Sequence, residues 1–474
     1  MDSETSPSAI SPQIMSLLRR TIGKLLPAIG FLFSAQLVMG ANQVLDVTKA
    51  GVVGDGTTLN TANIQKVIDE CAAAGGGIIS FPAGRYLTGT IQIKSNVTLR
   101  IEEQATLLGS TNAADYRNLD PFIDGSGHPL GHALVVAVDA ENVGIEGKGT
   151  VDGQSPKLKA TENPYVTRPF LVRWVRCANV TVRDIHLINP GAWTLNFFQT
   201  KGAVIEGVTI RSRDLGMQNN DGINVDSSEN LRVSNCDVIS GDDALVIKST
   251  SAAKPSRDIQ AVNCKLSSRT NAIKLGTESI GGFSNITISN CTITNTKMAG
   301  IALYEVDGAD LSNVTISDIT MDGVVVPVSI RLGSRLKTFR EGDQARPTPG
   351  KLSDVTIKNV TAKNIEMIGL LINGIPGHPI ESLNLENIRL ELPGGGIAED
   401  AKIVLPEKEA AYPEFDMFGK TMPAYGMYLR HINGLKLKDV HLTSLRPDAR
   451  PATVFMDVNN MTQADFTSES AKSP

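Results

Sequence analysis

One short phrase recurs along the chain and constrains its fold more than any other feature. Two clear copies are Asn230-Leu-Arg-Val-Ser-Asn-Cys-Asp-Val and Asn285-Ile-Thr-Ile-Ser-Asn-Cys-Thr-Ile. The first apolar residues of successive copies are Val180, Val204, Leu231, Ile259, Ile286, Val314, Val355, Leu383 and Leu435. Most neighbouring positions in this series are 24 to 28 residues apart, and two intervals of 41 and 52 residues contain insertions. A repeat near 27 or 28 residues is typical of a solenoid.

Each copy alternates apolar and polar residues, which predicts a β-strand with one buried face. Asn and Gly follow as turn residues. Stacking the copies places like side chains in columns, of which one would contain Ile185, Val208, Cys236, Cys264, Cys291 and Ile319. We therefore predict an all-β fold, a parallel β-helix wound from one chain.

Residues 61–74 form an exception to this pattern. Ile64, Val67, Ile68 and Cys71 recur at helical spacing, and Gly75-Gly76-Gly77 follows them. We predict a helix that caps the open end of the β-helix, where an uncovered strand edge would otherwise be exposed.

The predicted domain organisation has three parts. Residues 1–41 resemble a signal peptide, with Arg19, Arg20 and Lys24 before an apolar run at 25–38. The alternative is an uncleaved anchor, but the run is short for a membrane span. Residues 42–462 would form the β-helix catalytic domain, and 463–474 a flexible tail. Export predicts a secreted or periplasmic protein.

Composition excludes several classes of protein. The net charge is −5, with both signs interspersed, so nucleic acid is not an expected partner. No second apolar stretch is long enough to cross a bilayer, so we expect no membrane insertion after signal removal. Five cysteines, an odd number, argue against a full disulfide framework. The six histidines show no metal-ligand spacing.

Three aspartates stand out at successive turns. Asp221 lies in Asn219-Asn-Asp-Gly, and Asp242 and Asp243 lie in Gly241-Asp-Asp. The repeat aligns Asp221, Asp243 and Asn271 in one column, with Asp242 beside them. Crowding of carboxylates raises at least one pKa, which allows acid and base roles to separate. The alternatives are ordinary turn aspartates or a calcium site.

These motifs, with Ile247-Lys-Ser, resemble glycoside hydrolase family 28, the polygalacturonase-like members of the pectin-lyase-like right-handed β-helix superfamily. Gly54-Asp-Gly-Thr-Thr, the segment from Gly75 to Gly89, Gly147-Lys-Gly-Thr-Val-Asp-Gly and Asn189-Pro-Gly-Ala-Trp extend the resemblance. It implies a right-handed β-helix and a hydrolase that inverts the anomeric centre. Asp242 would then be the general acid, and Asp221 and Asp243 would activate water. Inversion requires an acid and a base about 6.5–9.5 Å apart.

The chain departs from the family pattern at two places. The family's Gly-His-Gly corresponds to Thr270-Asn271-Ala272, and its Arg-Ile-Lys to Ala302-Leu303-Tyr304. Those family residues tune the acid and hold the carboxylate of the substrate, so polygalacturonate itself is in question as the substrate. Other candidates for substrate binding are therefore Asn271, Lys248, Lys274, Glu278, Tyr304, Arg331 and Arg335.

The sequence thus predicts a glycoside hydrolase that cleaves α-glycosidic bonds of a pectic glycan, of galacturonate or rhamnogalacturonan type. We expect no cofactor, no metal and a monomer. One alternative is a polysaccharide lyase of the same superfamily, which would need Ca²⁺ and a basic proton abstractor. The other is a carbohydrate-binding solenoid without activity, against which the three retained aspartates count.

Overall fold

The computed structural model describes residues 43–123, 127–158, 168–216 and 218–471. The expected signal peptide at 1–41 lies outside these ranges, as do residues 472–474 of the expected tail. No helix within the described ranges is both long and apolar enough to cross a membrane.

The described residues contain one α-helix, α1 (Thr61–Ala73), and short 3₁₀ segments at Val47–Ala50, Ala113–Asp115, Ser155–Lys157, Asp400–Lys402 and Phe415–Phe418. The strands are β1 Val44–Asp46, β2 Gly77–Phe81, β3 Gly84–Thr88, β4 Ile91–Gln92, β5 Val97–Ile101, β6 Ala105–Gly109, β7 Asn118–Ile123, β8 Pro129–Val138, β9 Glu141–Glu146, β10 Thr150–Asp152, β11 Phe170–Val175, β12 Ala178–Arg183, β13 His186–Ile188, β14 Leu195–Phe198, β15 Lys201–Glu206, β16 Thr209–Arg211, β17 Ile223–Asp226, β18 Glu229–Ser234, β19 Asp237–Ser240, β20 Leu245–Lys248, β21 Ser256–Val262, β22 Lys265–Ser268, β23 Ile273–Leu275, β24 Phe283–Glu305, β25 Leu311–Leu332, β26 Leu352–Ile365, β27 Leu370–Asn373, β28 Ile380–Leu392, β29 Met427–Ser444, β30 Thr453–Asn459 and β31 Thr462–Ser470.

Strand pairing follows a period of three. β12 pairs with β15, β13 with β16 and β14 with β17, all in parallel. Each turn of the chain therefore adds one strand to each of three parallel stacks, which is the arrangement of a β-helix. The predicted fold class is confirmed. The exception to parallel pairing among the named strands is the β7–β8 hairpin.

The interior is filled by the predicted columns of apolar side chains. Cys236 follows Val208 in register and precedes Cys264 and Cys291, and Ile319 continues the column; all are buried. One position of the repeat was misassigned. Ala203, and not Val204, lies in register with Val180 and Leu231. Val204 points outward, because the alternation places Ala203 and Ile205 on the buried face.

The recurring Asn of the phrase has a conformational role. Asn179, Asn230, Asn285 and Asn313 all adopt positive φ, between 53° and 60°. Asn tolerates this left-handed conformation better than most residues, because its short side chain forms local hydrogen bonds. The same side chains also bond from coil to coil, as Asn313 Nδ2 does to Asn285 Oδ1 at 2.8 Å.

Helix α1 forms as predicted, one residue shorter than expected. Its buried residues are Ile64, Val67, Ile68 and Cys71, and they belong to the main core. The helix packs against β2, β4 and β5. Its role as a cap of the β-helix stays a prediction.

The C-terminal expectation was wrong. Residues 463–470 are not a flexible tail but belong to β31, which pairs in parallel with β29 along its length. Almost every side chain of β31 is exposed, so it carries little of the apolar alternation that predicts a strand. Phe466, in register with Val440, is its main apolar contact with the coil before it.

All five cysteines are free and buried, so we predict that the folded protein resists thiol reagents. Unfolding in denaturant without reductant should expose five reactive thiols per chain. A colorimetric thiol titration before and after denaturation measures both values. Fewer than five thiols in the unfolded protein would contradict the free, stacked arrangement.

Candidate active site

The three aspartates lie at one edge of a single stack of strands, which we call the site sheet: β11, β14, β17, β20 and β23. Gly222 N donates to Asp243 O at 2.8 Å, and Ala244 N donates to Asn271 O at 2.9 Å. Asp221, Asp243 and Asn271 are therefore in register on three successive coils, as predicted. The next column of the same face contains Asn224, Val246, Lys274 and Ala302.

Glycine is needed where the turn meets β17. A Cβ on Gly222 would lie 2.4 Å from Val238 Cγ1 and 2.5 Å from Ala244 O, which no side chain tolerates. The preceding Asn220 is buried, and its Nδ2 donates to Pro190 O at 3.2 Å. This local packing fixes the backbone that carries Asp221.

Asp243 lies in a dense set of donors. Its Oδ1 accepts hydrogen bonds from Thr270 Oγ1 (2.7 Å), Asn271 N (3.1 Å) and Asn271 Nδ2 (2.9 Å). Lys274 Nζ lies 3.1 Å from Asp243 Oδ2. Burial alone would raise the pKa of Asp243, but Lys274, Lys248 and these hydrogen bonds outweigh it and lower the pKa. Asp243 is therefore ionised at neutral and mildly acidic pH.

Asp242, its neighbour in sequence, behaves in the opposite way. Its Oδ1 accepts from Asp243 N and from Thr270 Oγ1, each at 2.9 Å. Burial, and the negative charge of Asp243, raise the pKa of Asp242 to about 6. Two adjacent carboxyls thus have pKa values shifted in opposite directions, which is the condition for a separate acid and base.

Asp221 was expected to activate water together with Asp243, and its surroundings differ from those of Asp243. Its Oδ2 accepts from Asn224 Nδ2 at 2.8 Å. Burial, with the charge of Asp242, raises the pKa of Asp221 well above its ordinary value despite the opposing effect of Lys248. The predicted crowding effect therefore acts on two of the three carboxyls.

Lys248 and Glu278 form a buried ion pair beside the aspartates. Lys248 Nζ lies 2.7 Å from Glu278 Oε2 and 5.2 Å from the centroid of the Trp193 ring. Burial disfavours the charged forms of both groups, but the attraction between them and to nearby opposite charges outweighs it. The pKa of Lys248 is therefore raised, and that of Glu278 falls to about 2. Trp193 itself belongs to an apolar cluster with Phe170 and Leu130. Both predicted binding residues lie at the site, with their charges already paired.

Arg331 and Arg335 were expected to bind the substrate, but both side chains are buried and bonded to other parts of the protein. Arg331 is buried one coil beyond Tyr304, where Nη1 donates to Gly374 O at 3.0 Å and Nη2 to Glu407 O at 2.7 Å. It holds backbone rather than facing the aspartates. Arg335 is also buried, with Nη2 at 2.6 Å from Asp307 Oδ2. Sequence alone did not reveal these partners, because they lie on other coils and on the insertion.

Tyr304 lies on the site face, but it is fully buried by a residue that sequence reasoning missed. Its hydroxyl donates to Glu414 Oε2 at 3.2 Å, and Ser329 Oγ lies 3.1 Å from the same hydroxyl oxygen. Glu414 also accepts from Lys274 Nζ (2.7 Å) and Asn271 Nδ2 (3.2 Å). Thr270 and Asn224, which contact the aspartates, were not singled out either.

Glu414 belongs to the insertion at 392–423, which lies within the 52-residue interval between Leu383 and Leu435. Nothing in the sequence distinguishes it from the other acidic residues of that insertion: Glu399, Asp400, Glu407, Glu409 and Asp416. The insertion reaches the site because Phe415 and Phe418 join a second apolar cluster with Met422 and Tyr428.

We predict that Asp242→Asn stabilises the fold above pH 6. Its folded pKa of about 6 exceeds the ordinary 3.8, so ionising Asp242 costs the folded state roughly 3 kcal/mol above pH 6 and nothing below pH 3.8. Asn cannot ionise and keeps the acceptor oxygen. Thermal unfolding midpoints of variant and wild type should coincide near pH 3.5 and separate by pH 8, with the variant higher. A variant that unfolds at lower temperature at pH 8 would refute the raised pKa.

Known proteins are similar to this chain in both sequence and fold. The family model "Glycosyl hydrolases family 28" matches residues 71–410, which is 340 of the 474 residues. A protein described as "Probable polygalacturonase" from Vitis vinifera is 26% identical, over 72% of this chain and 73% of its own length. An endo-polygalacturonase from Pectobacterium carotovorum subsp. carotovorum is 24% identical, over 78% of this chain and 95% of its own.

Solved structures agree on the architecture. An exopolygalacturonase from Thermotoga maritima superposes with a TM-score of 0.64 at 23% identity, covering 74% of this chain and 88% of that one. The polygalacturonase of Erwinia carotovora ssp. carotovora gives 0.57 at 18% identity, covering 92% and 96%. These neighbours are right-handed β-helices, which confirms the predicted hand. With a family match over most of its length, the chain belongs to glycosyl hydrolases family 28 and is a glycoside hydrolase.

Proposed function

We propose that this protein is an inverting hydrolase of α-glycosidic bonds in a pectic glycan of galacturonan or rhamnogalacturonan type. The observation that carries the reaction type is the pair Asp242 and Asp243: adjacent carboxyls, one with its pKa raised to about 6 and the other with its pKa lowered. The substrate class is supported by the polygalacturonase relatives. Secretion to the periplasm or the exterior, a monomeric state and independence of metal and cofactor are part of the same proposal.

In this mechanism Asp242 donates its proton to the glycosidic oxygen as the bond from that oxygen to the anomeric carbon breaks. A water molecule attacks the anomeric carbon from the opposite face and transfers its proton to Asp243. The bonding electrons leave with the glycosidic oxygen, and the product has the inverted configuration. Asp242 Oδ1 and Asp243 Oδ1 both lie within 2.9 Å of Thr270 Oγ1, closer together than the spacing of about 6.5–9.5 Å typical of inverting enzymes, so inversion rests on the family resemblance and not on this spacing. Exchange of protons with solvent restores Asp242 and Asp243.

Asp221 has a different part in this proposal from the one that the family resemblance implies. Its raised pKa leaves it protonated under conditions in which Asp243 is ionised. We therefore assign deprotonation of water to Asp243, and to Asp221 the orientation of that water by hydrogen bonding.

A lyase mechanism fits the site less well. Elimination needs a basic proton abstractor. Lys248, the lysine beside the aspartates, is paired with Glu278 and its pKa is raised, so it stays protonated and cannot act as a base.

The first test is a screen of pectic polysaccharides and oligosaccharides that records reducing ends and ultraviolet absorbance. We expect reducing ends without absorbance for the wild type, and a loss of about 10²–10⁴-fold in kcat for Asp242→Asn, because that is the usual contribution of general acid catalysis. Asp354→Asn is the matched control. Asp354 occupies the exposed turn position that holds Asn in other copies of the repeat, and it should retain full activity.

Proton NMR of the first products should show the inverted anomer. Absorbance from unsaturated sugars would mean elimination and would overturn the assignment of hydrolysis. Equal activity of the wild type and Asp242→Asn would remove Asp242 from the mechanism.

A second prediction concerns Thr270, whose hydroxyl contacts both Asp242 and Asp243. Its hydrogen bonds favour the ionised forms, so Thr270→Val should raise the pKa of both carboxyls. The base then ionises at higher pH and the acid keeps its proton to higher pH. Both limbs of the kcat/KM–pH profile should therefore move upward, by about half a unit to one unit. Thr270→Ser keeps a hydroxyl and should keep the wild-type profile; an unshifted Thr270→Val profile would exclude this coupling.

A further inference from the structure

The insertion at 392–423 places a carboxylate on the site sheet, beside the predicted base. Glu414 lies within 2.7 Å of Lys274 Nζ, and its two oxygens also accept from Asn271 Nδ2 and the Tyr304 hydroxyl. Lys274 and Tyr304 are buried beneath it. Glu414 is 143 residues from Asn271 in sequence, so only the path of the insertion brings them together.

Three of the four cations among the predicted binding residues already have a carboxylate partner, and the fourth, Arg331, donates to backbone carbonyls. Lys248 pairs with Glu278 at 2.7 Å, and Arg335 pairs with Asp307 at 2.6 Å. Lys274 has two partners, Glu414 at 2.7 Å and Asp243 at 3.1 Å. A substrate anion would have to compete with these fixed charges in a buried, weakly screened setting.

The charge balance around Lys274 is the decisive point. One lysine and two carboxylates, Asp243 and Glu414, carry a net formal charge of −1. A uronate carboxylate against this group would meet repulsion, whereas an uncharged sugar would not.

The insertion also brings an aromatic surface to this position. Tyr412 is 52% exposed. The centroid of its ring lies 5.8 Å from Lys274 Nζ and 5.7 Å from Arg335 Cζ. A half-exposed ring of this kind offers an apolar face to a sugar ring. Tyr412 and Glu414 thus present apolar and negatively charged groups at the same place, and both disfavour an anion.

We infer that Glu414 is a specificity-determining residue, and that the sugar unit bound against the exposed Tyr412, beside the Glu414–Lys274 pair, carries no charge. That unit is either a neutral sugar or a uronate whose carboxyl is esterified. The inference rests on the proposed function, which it deepens by naming the class of the unit at this position. The rest of the pectic chain can be anionic.

The test compares four probes: one oligogalacturonide as the free acid, as its methyl ester and as its carboxyl-reduced form, and a rhamnogalacturonan oligosaccharide. For the wild type we expect kcat/KM for the best uncharged-unit probe to exceed that for the free acid at least tenfold. Glu414→Gln removes one negative charge and should reduce this ratio about tenfold, mainly by improving the free acid. Comparing kcat/KM for the methyl ester with kcat/KM for the carboxyl-reduced and rhamnogalacturonan probes distinguishes an esterified uronate from a neutral sugar.

Glu407→Gln is the matched control. Glu407 lies on the same insertion and also pairs with a buried cation, Arg430 at 3.0 Å. Among the described residues, no hydrogen bond or ion pair joins its side chain to Lys274 or to the three aspartates. It should leave the ratio unchanged, which separates a charge effect from loosening of the insertion. Equal changes in both variants would overturn the inference.

A binding experiment keeps this inference separate from the proposed function. In an Asp242→Asn background, calorimetry measures the affinity of the same four probes without turnover, with and without Glu414→Gln. A binding preference for uncharged units that weakens with Glu414→Gln supports the inference, whether or not the wild type hydrolyses the probes. Absence of hydrolysis by the wild type would count only against the proposed hydrolase activity. Equal or tighter binding of the free acid, or binding of no probe, would overturn it while hydrolysis by the wild type could still be observed.

Discussion

The register of the parallel coils is the constraint on which the rest of the structure depends. Main-chain hydrogen bonds join each coil to the next, so a residue's neighbours lie one coil away in sequence. Gly222 N to Asp243 O and Ala244 N to Asn271 O are two rungs of this ladder on the site sheet. Through them, carboxyls 22 residues apart in sequence are held in adjacent positions about 4.8 Å apart. A shift of one residue would turn these side chains inward and move the apolar columns out of the core.

Burying these carboxyls creates an electrostatic problem that the chain solves with lysines from the same sheet. Two unit charges about 4 Å apart interact by roughly 4 kcal/mol at an effective dielectric constant near 20, enough to shift pKa values by several units. Lys274 lies against Asp243 and lowers its pKa, whereas Asp242 lacks an equally close cation and its pKa rises to about 6. The separation of acid from base therefore follows from where one lysine is placed in the next coil.

The insertion at 392–423 changes the character of this site without altering its scaffold. It is anchored by its own apolar cluster around Phe415 and Phe418, and by Arg331 and Arg430, which donate to its backbone carbonyls. From that anchorage Glu414 reaches Lys274, and a lysine that would otherwise attract anions becomes part of a negatively charged group. In our proposal, a rigid solenoid with variable loops thus separates the reaction, assigned to the sheet, from the choice of sugar, assigned to the loop.

The sequence by itself determined what is periodic. The repeat predicted the β-helix, the cysteine column and the alignment of Asp221, Asp243 and Asn271, and helical spacing predicted helix α1, because each follows from spacing along one chain. The pattern misleads where the periodic signal is weak: Val204 is more apolar than the buried Ala203 beside it, and the polar, exposed β31 lacks the alternation that predicts a strand. Only the tertiary structure decided the contacts of the charged side chains, since the partners of Arg331, Arg335 and Lys274 lie on neighbouring coils and on the insertion. It placed Glu414, one of several similar carboxylates in a loop without period, over the site. Contacts set by the path of a non-repeating segment leave no pattern in the sequence.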